Sequence, residues 1–234
     1  MGSACLFFAL APEKALLGDI NSELVDTYAT VRDHPLGVHN AIAKLPKGKE
    51  SYYDIRSDDV SRWTATRRAA RFIYLNRYCF NGLYRTNRQG AFNVPYSGAR
   101  TGPLPTLADL RIVANVLKRA RIRCTDFETV LKAVKCGDFV YLDPPFAVSN
   151  RRIFRQYDPS SFGLGDLSRL ADCLTTIDER GASFLVSYAV CKEASAAFSE
   201  WYIRRVFTQR NISGFAKHRR RAVEILVSNH AHPK

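Results

Sequence analysis

The 234-residue chain is predicted to fold as α/β, and three observations carry that prediction. Apolar runs of strand length recur at "DFVYLD" (138–143), "ASFLVSY" (182–188) and "AVEILVSN" (222–229). The first two are separated by "LGDLSRLADCLTTIDERG" (164–181), which has helical periodicity and closes on Gly181, a residue suited to a helix C-terminus. Strand, helix, strand and a hairpin-like final strand is the order of an α/β sheet. Hydrophobic residues make up 46% of the chain, enough for a substantial core.

From the N-terminus, "MGSACLFF" is a small-residue turn followed by aromatic residues. "KALLGDINSELVDTYATVRD" (14–33) then runs from a short apolar strand through Asp19 and Asn21 into a helical segment. Residues 31–105 are mixed, basic and aromatic, densest at "RRAARFIYLNRYCFNGLYRTNRQGAFNVPYSGARTGP" (67–103). "PTLADLRIVANVLKRA" (105–120) reads as a helix opened by a capping pair, Thr106 and Asp109. In open α/β sheets ligands gather at the carboxyl ends of strands. Asp19, Asp126, Asp143 and Ser187 each follow an apolar run and are expected to line one crevice.

The net charge of +13 points to a polyanionic partner, nucleic acid or an anionic membrane surface. No apolar run approaches the roughly 20 residues of a membrane-spanning helix. The N-terminal "CLFFALAP" lacks the preceding basic region of a signal peptide. The six cysteines contain no C-x-x-C pair, so neither zinc nor a disulfide framework is expected; they read as small buried hydrophobes in a reducing cytoplasm.

The chemistry concentrates at "DFVYLDPPF", where two prolines end a strand abruptly on an acid. The exocyclic amine of a base is a poor nucleophile, because its lone pair is delocalised into the ring. The Asp143 carboxylate and the Pro144 carbonyl can accept its two hydrogens, with both prolines fixing the acceptors' directions. Phe146 can stack on an extruded base. The tetrapeptide alone is read equally well as a strand-ending turn with a core phenylalanine.

D-P-P-F resembles the D-P-P-Y catalytic motif of amino-methyltransferases, and the wider chain resembles the Dam-type DNA adenine-N6 methyltransferases. "RFIYLNRYCFNGLYRTNRQGAFNVPY" (71–96) follows that family's LNR-x-x-[YF]-N-G-L-x-R-x-N-x-x-G-x-F-N-V-P-[YF] block nearly position for position. "GDINSELVDTY" and "ISG…R…EILVSN" (212–229) resemble its other segments in the same order. The resemblance implies a Rossmann-like S-adenosylmethionine-dependent methyltransferase sheet built from residues 1–30 and 106–234. Residues 31–105 would be an inserted helical and hairpin DNA-recognition domain. It implies methyl transfer to N6 of a flipped adenine in duplex DNA, in GATC, with no metal. An inactive DNA-binding remnant and an N4-cytosine or RNA amino-methyltransferase are the alternatives.

On the cofactor side, Gly2, Ser3, Ala4 and Phe7 match the family's F-x-G-x-G region, with Ala4 standing where a second glycine is usual. Asp19 matches the acid that accepts the ribose hydroxyls. Asp126 and Phe127, in "RCTDFETVL", match positions around the adenine ring, and Asp143 borders the cofactor as well. On the DNA side, Arg85 aligns with the arginine that reads a guanine. Phe80 and Asn81 match the pair beside the flipped base, Leu83 belongs to the same segment, and Asn93 and Pro95 shape a turn around the target. Arg67, Arg68, Arg71, Arg77 and Arg88 neutralise phosphates or form ion pairs. "KHRRR" (217–221) is read either as a phosphate contact or as a solvated turn. Phe154 and Tyr157 are expected to close over the target adenine.

Met1 stands where the family's first strand has already ended. The resemblance therefore implies an N-terminally incomplete chain, lacking that strand and a lysine-bearing segment. Implied partners are duplex DNA and a cognate restriction endonuclease, and the protein is expected to be a monomer in a bacterial or phage-infected cytoplasm.

Overall fold

The computed structural model describes residues 1–87, 89–98, 102–145, 162–209 and 221–231. Two compact units divide the chain, Met1–Val130 and Leu131–Lys234. Among the described residues no helix is long and apolar enough to cross a membrane.

In the first unit, β1 (Ala15–Asp19) pairs in parallel with β2 (Ala120–Cys124), from Ala15 opposite Ala120 to Asp19 opposite Cys124. The short helix α1 (Cys5–Leu10) precedes β1, and α2 (Ser22–Asp33) follows it. Helix α2 starts because the Asn21 side chain accepts the Leu24 N–H, leaving one fewer orphan donor in the first turn. Then come α3 (Pro35–Ala43), α4 (Lys49–Ser57) and α5 (Ala65–Tyr78). Thr64 caps α5 by accepting the Arg67 N–H. Helix α6 (Leu107–Leu117) has the expected Thr106–Asp109 capping box and buries Leu110, Ala114 and Leu117 at helical spacing. Helix α7 (Phe127–Leu131) follows β2.

Two cores fill this unit. One gathers Ala4, Phe7, Val31, Val38, Ile42, Leu110 and Leu117 with Ala69 and Ala70 of α5. The other gathers Tyr52, Ile55, Phe92 and Val94 with Tyr74, Leu75 and Cys79, so every buried member falls within residues 31–105. Successive residues of α5 thus serve both.

Gly18 permits close packing over β1, because a Cβ there would collide with a methyl group of Val130. Valine is stiff at χ1 and has little room to retreat. Gly18→Ala is therefore expected to destabilise the fold by about 1–3 kcal/mol. The check is the midpoint of urea unfolding, and an unchanged midpoint would mean that Val130 repacks freely.

In the second unit the strand order is β3-β4-β6-β5. Strand β3 (Phe139–Leu142) is parallel to β4 (Ser183–Ala189), while β6 (Arg221–Ser228) is antiparallel to both β4 and β5 (Tyr202–Gln209). Helix α8 (Leu164–Glu179) connects β3 to β4 and buries Leu167, Leu170, Leu174 and Ile177. It stops at Gly181, whose φ of +71° closes the helix end as expected. Strand β4 alternates strictly, burying Phe184, Val186 and Tyr188. The short helix α9 (Lys192–Ala197) leads to β5.

Three sequence expectations change here. Ser187 does not follow a strand; β4 continues through it to Ala189, because the alternation of buried residues persists to Tyr188. Strand β5 is not apparent in the sequence, since "YIRRVFTQ" carries two adjacent arginines, but it forms the sheet edge, where charge is tolerated. Among the cysteines only Cys79 is buried, whereas Cys5, Cys124 and Cys136 are exposed, so the buried-hydrophobe reading holds for one of them.

Candidate active site

Asp19 ends β1, and its carboxylate organises the turn around it. It accepts N–H bonds from Gly2 at 2.9 Å and Asn21 at 3.0 Å, and the Met1 amino group lies 3.2 Å away. Burial pushes its pKa up, but these hydrogen bonds and the nearby positive charge outweigh burial and hold it below the ordinary 3.8. An ionised carboxylate has about four acceptor sites, so three protein donors leave capacity for another. Because the pKa is depressed on folding, the stabilisation is present above the ordinary value and lost as pH falls through the lowered one. Asp19→Asn should accordingly lower the unfolding midpoint at neutral pH, with the gap to the unsubstituted chain narrowing as pH falls below the ordinary carboxylate value. A gap independent of pH would contradict this.

The Gly2–Ala4 turn uses left-handed backbone at both ends, with φ of +54° at Gly2 and +51° at Ala4. Ala4 stands where the resemblance puts a second glycine, and its conformation is the one that favours glycine. A Cβ at Gly2 would meet nothing within 4 Å, so open space adjoins the turn. Ser3 Oγ lies 3.2 Å from Cys5 Sγ. Phe7 is buried in the core, its ring edge-on to Phe8.

Asp126 follows β2, the neighbour of β1, so the two acids occupy the same carboxyl edge of the parallel pair; Thr125 N–H donates to the Asp19 carbonyl at 3.0 Å. The Asp126 carboxylate accepts the Glu128 N–H at 2.9 Å and thereby opens α7, with the half-buried Phe127 as its first residue.

The third acid lies in the second unit. Asp143 immediately follows β3 and is exposed, with Pro144 half-buried and Pro145 exposed behind it. The last parallel pair is Leu142 with Val186, so Asp143, just past β3, and Ser187, within β4, each stand one residue beyond it. Phe146, Phe154, Tyr157, Arg88 and residues 217–220 lie outside the described residues.

The six residues expected at DNA converge on one hairpin-like segment. Antiparallel bridges link Cys79 to Tyr96 and Thr86 to Phe92. Phe80 N–H donates to the Pro95 carbonyl at 2.8 Å, and Asn93 N–H to the Arg85 carbonyl at 3.0 Å. The Arg85 guanidinium donates through Nε to Asn93 Oδ1 at 2.7 Å and through Nη2 to the Asn93 carbonyl at 3.3 Å. Phe80–Gly82 forms one 3₁₀ turn with Asn81 at φ +55°, a conformation Asn tolerates, and Leu83 N–H closes it onto Phe80. Phe80, 37% exposed, and the exposed Asn81 stand at its surface.

Residues without a motif hold this segment. Tyr52 of α4, fully buried, donates to the Val94 carbonyl at 2.9 Å, and Arg56 reaches the same oxygen at 3.2 Å. Tyr84 packs its ring against Phe72 and Phe92. Arg71 is buried and donates to the Ile55 and Arg56 carbonyls, both at 2.8 Å, which resolves it as a structural cation rather than a phosphate contact. Arg67 instead lies over the Trp63 ring, 3.4 Å from its centroid. Their aromatic richness was a signal in the sequence, but their partners are distant along the chain.

A mixed α/β chain with acids at the carboxyl ends of parallel strands, one of them opening a D-P-P segment, is consistent with an S-adenosylmethionine-dependent methyltransferase. A family model described as D12 class N6 adenine-specific DNA methyltransferase matches residues 1–212. The chain is 32% identical to the type II methyltransferase M1.LlaDCHI of Lactococcus lactis subsp. cremoris, over 98% of its own length and 84% of the relative's. It is 32% identical to the type II methyltransferase M.MjaIII of Methanocaldococcus jannaschii, over 98% and 86% of the two lengths. With the DNA adenine methylase of Escherichia coli K12 it shares 29% identity over 97% and 83%. The chain belongs to the D12 class of N6 adenine-specific DNA methyltransferases.

Proposed function

We propose that the protein methylates N6 of a flipped adenine in duplex DNA, within GATC, using S-adenosylmethionine. The observation that carries this reading is the Asp143–Pro144–Pro145 segment, which directly follows a parallel strand, with Asp143 exposed at its start. Asp143 and the Pro144 carbonyl accept the two hydrogens on N6, so the nitrogen lone pair projects away from the ring system and the departing proton has an acceptor at hand. Phe146 stacks on the extruded base.

The cofactor, when bound, supplies an electrophilic methyl group. The residues present fit it: Asp19 is an ionised acceptor with remaining capacity, and Gly2 borders open space. Asp19 takes the ribose hydroxyls, Asp126 and Phe127 hold the adenine ring, and the Gly2–Ser3–Ala4 backbone lines the approach, with Phe7 packed behind it. Asp143 borders the methyl group.

Residues 31–105 act as the recognition domain, a reading supported by their own buried cluster. Arg85 reads guanine, Phe80 and Asn81 flank the gap left by the flipped base, and Leu83, Asn93 and Pro95 shape the hairpin around it. The protein works as a cytoplasmic monomer, alone or beside a cognate endonuclease. The family match favours neither an inactive remnant nor a cytosine or RNA enzyme.

The test incubates purified protein with S-adenosylmethionine and a GATC duplex, then digests the DNA to nucleosides. N6-methyladenine confined to that site is expected. Methylation absent, or found only on cytosine, would refute the reading.

A further inference from the structure

Tyr84 has no role in the cofactor, base or methyl-transfer contacts assigned above, yet it joins two of the parts that make them. Its hydroxyl donates to Glu23 Oε2 at 2.9 Å, between residues 61 positions apart. The Asn21 side chain faces the same hydroxyl. Glu23 lies in the first turn of α2, directly after the turn in which Asn21 N–H binds Asp19 and the Asn21 side chain caps the helix. The other Glu23 oxygen faces buried Arg71 at 4.0 Å, and Arg71 is itself fixed by two α4 carbonyls. At the opposite end, Tyr84 sits between Leu83 and Arg85 on the hairpin, its ring 5.6 Å from Phe72 and 5.7 Å from Phe92 between centroids.

We propose that Tyr84 is a positioning residue that couples cofactor occupancy at the Asp19 turn to DNA recognition by the Phe80–Tyr96 hairpin, through its hydrogen bond to Glu23. The proposal rests on the functional reading above. A ligand held by Asp19 fixes the Asn21 turn and the first turn of α2, and with them the Glu23 carboxylate. A hydrogen bond to a carboxylate is stronger than one between neutral groups, so the fixed acceptor holds Tyr84 and the adjoining Arg85 in place. DNA that orders the hairpin strengthens the cofactor site by the same factor, because coupling between binding equilibria is reciprocal. Burial raises the phenol pKa further from neutrality, so the hydroxyl remains a donor at working pH.

The test measures S-adenosylhomocysteine binding to the full chain by calorimetry, with and without a saturating GATC duplex. In the unsubstituted protein the duplex is expected to tighten binding by about 5-fold or more. Tyr84→Phe keeps the ring and removes the hydroxyl. It should bind the cofactor alone with unchanged affinity and keep its thermal midpoint, while the duplex effect falls to about 2-fold or less. Glu23→Gln, which still offers an acceptor, should retain most of the effect, whereas Glu23→Ala should lose it. Equal coupling in Tyr84→Phe and the unsubstituted chain overturns the link alone, as does an unsubstituted chain that binds both ligands without coupling. A chain that binds neither ligand overturns the functional reading and the link together.

Discussion

Asp143→Ala is expected to lower single-turnover methyl transfer by about 10²–10³-fold or more, while duplex affinity changes little. On the proposed mechanism the carboxylate is one of two acceptors for the N6 hydrogens, and alanine would leave the amine conjugated with its ring. Asp143 is exposed beyond the end of β3, so removing it disturbs no core packing. On the same reading, affinity for DNA comes from basic residues on other elements, which the substitution leaves intact. Asp143→Asn retains an acceptor oxygen but not the charge, and should fall between the two. The assay is single-turnover transfer of labelled methyl alongside fluorescence anisotropy on the same duplex. Turnover within about tenfold of the unsubstituted protein would remove Asp143 from the mechanism.

Arg85→Ala is expected to relax discrimination at one guanine by about 1–3 kcal/mol, the range of a good bidentate base contact. The observed geometry refines the expectation. Arg85 already donates to both oxygens of Asn93, so it is held in the hairpin before any base arrives. Such preorganisation sharpens specificity, because less side-chain freedom is lost on binding. Asn93→Ala should then weaken methylation at every site without a new preference, while Arg85→Ala changes the ranking of sites. Methylation rates across duplexes with single-base changes separate the two outcomes. An unchanged ranking for Arg85→Ala would assign the residue to hairpin structure alone.

Much of the fold was legible because its signals are local. The Thr106–Asp109 capping box, the apolar spacing of α8 and the glycine after it each depend on residues a few positions apart. The positions of Asp19 and Asp126 at the ends of strands were legible for the same reason, since strand-end acids are a pattern of sequence. The abrupt end of β3 at the D-P-P segment was legible because proline's backbone restriction holds in any context.

Other features depend on who meets whom across the fold. In "RRAAR" the arginines look equivalent, yet Arg71 is buried against the end of α4 while Arg67 lies over Trp63. The strand character of "YIRRVFTQ" follows from its place beside β6 at the sheet edge, which tolerates its charges. Ser187 looked like a strand end until the alternation of β4 carried through it. The contacts of Tyr52 with Val94 and of Tyr84 with Glu23 span 42 and 61 positions, beyond the reach of any local pattern. The sequence by itself determined the α/β class, the family and the acids that end its strands, because these are properties of short segments. Only the tertiary structure decided which cations are buried and what anchors the hairpin, because burial and hydrogen-bond partners are set by packing between distant segments.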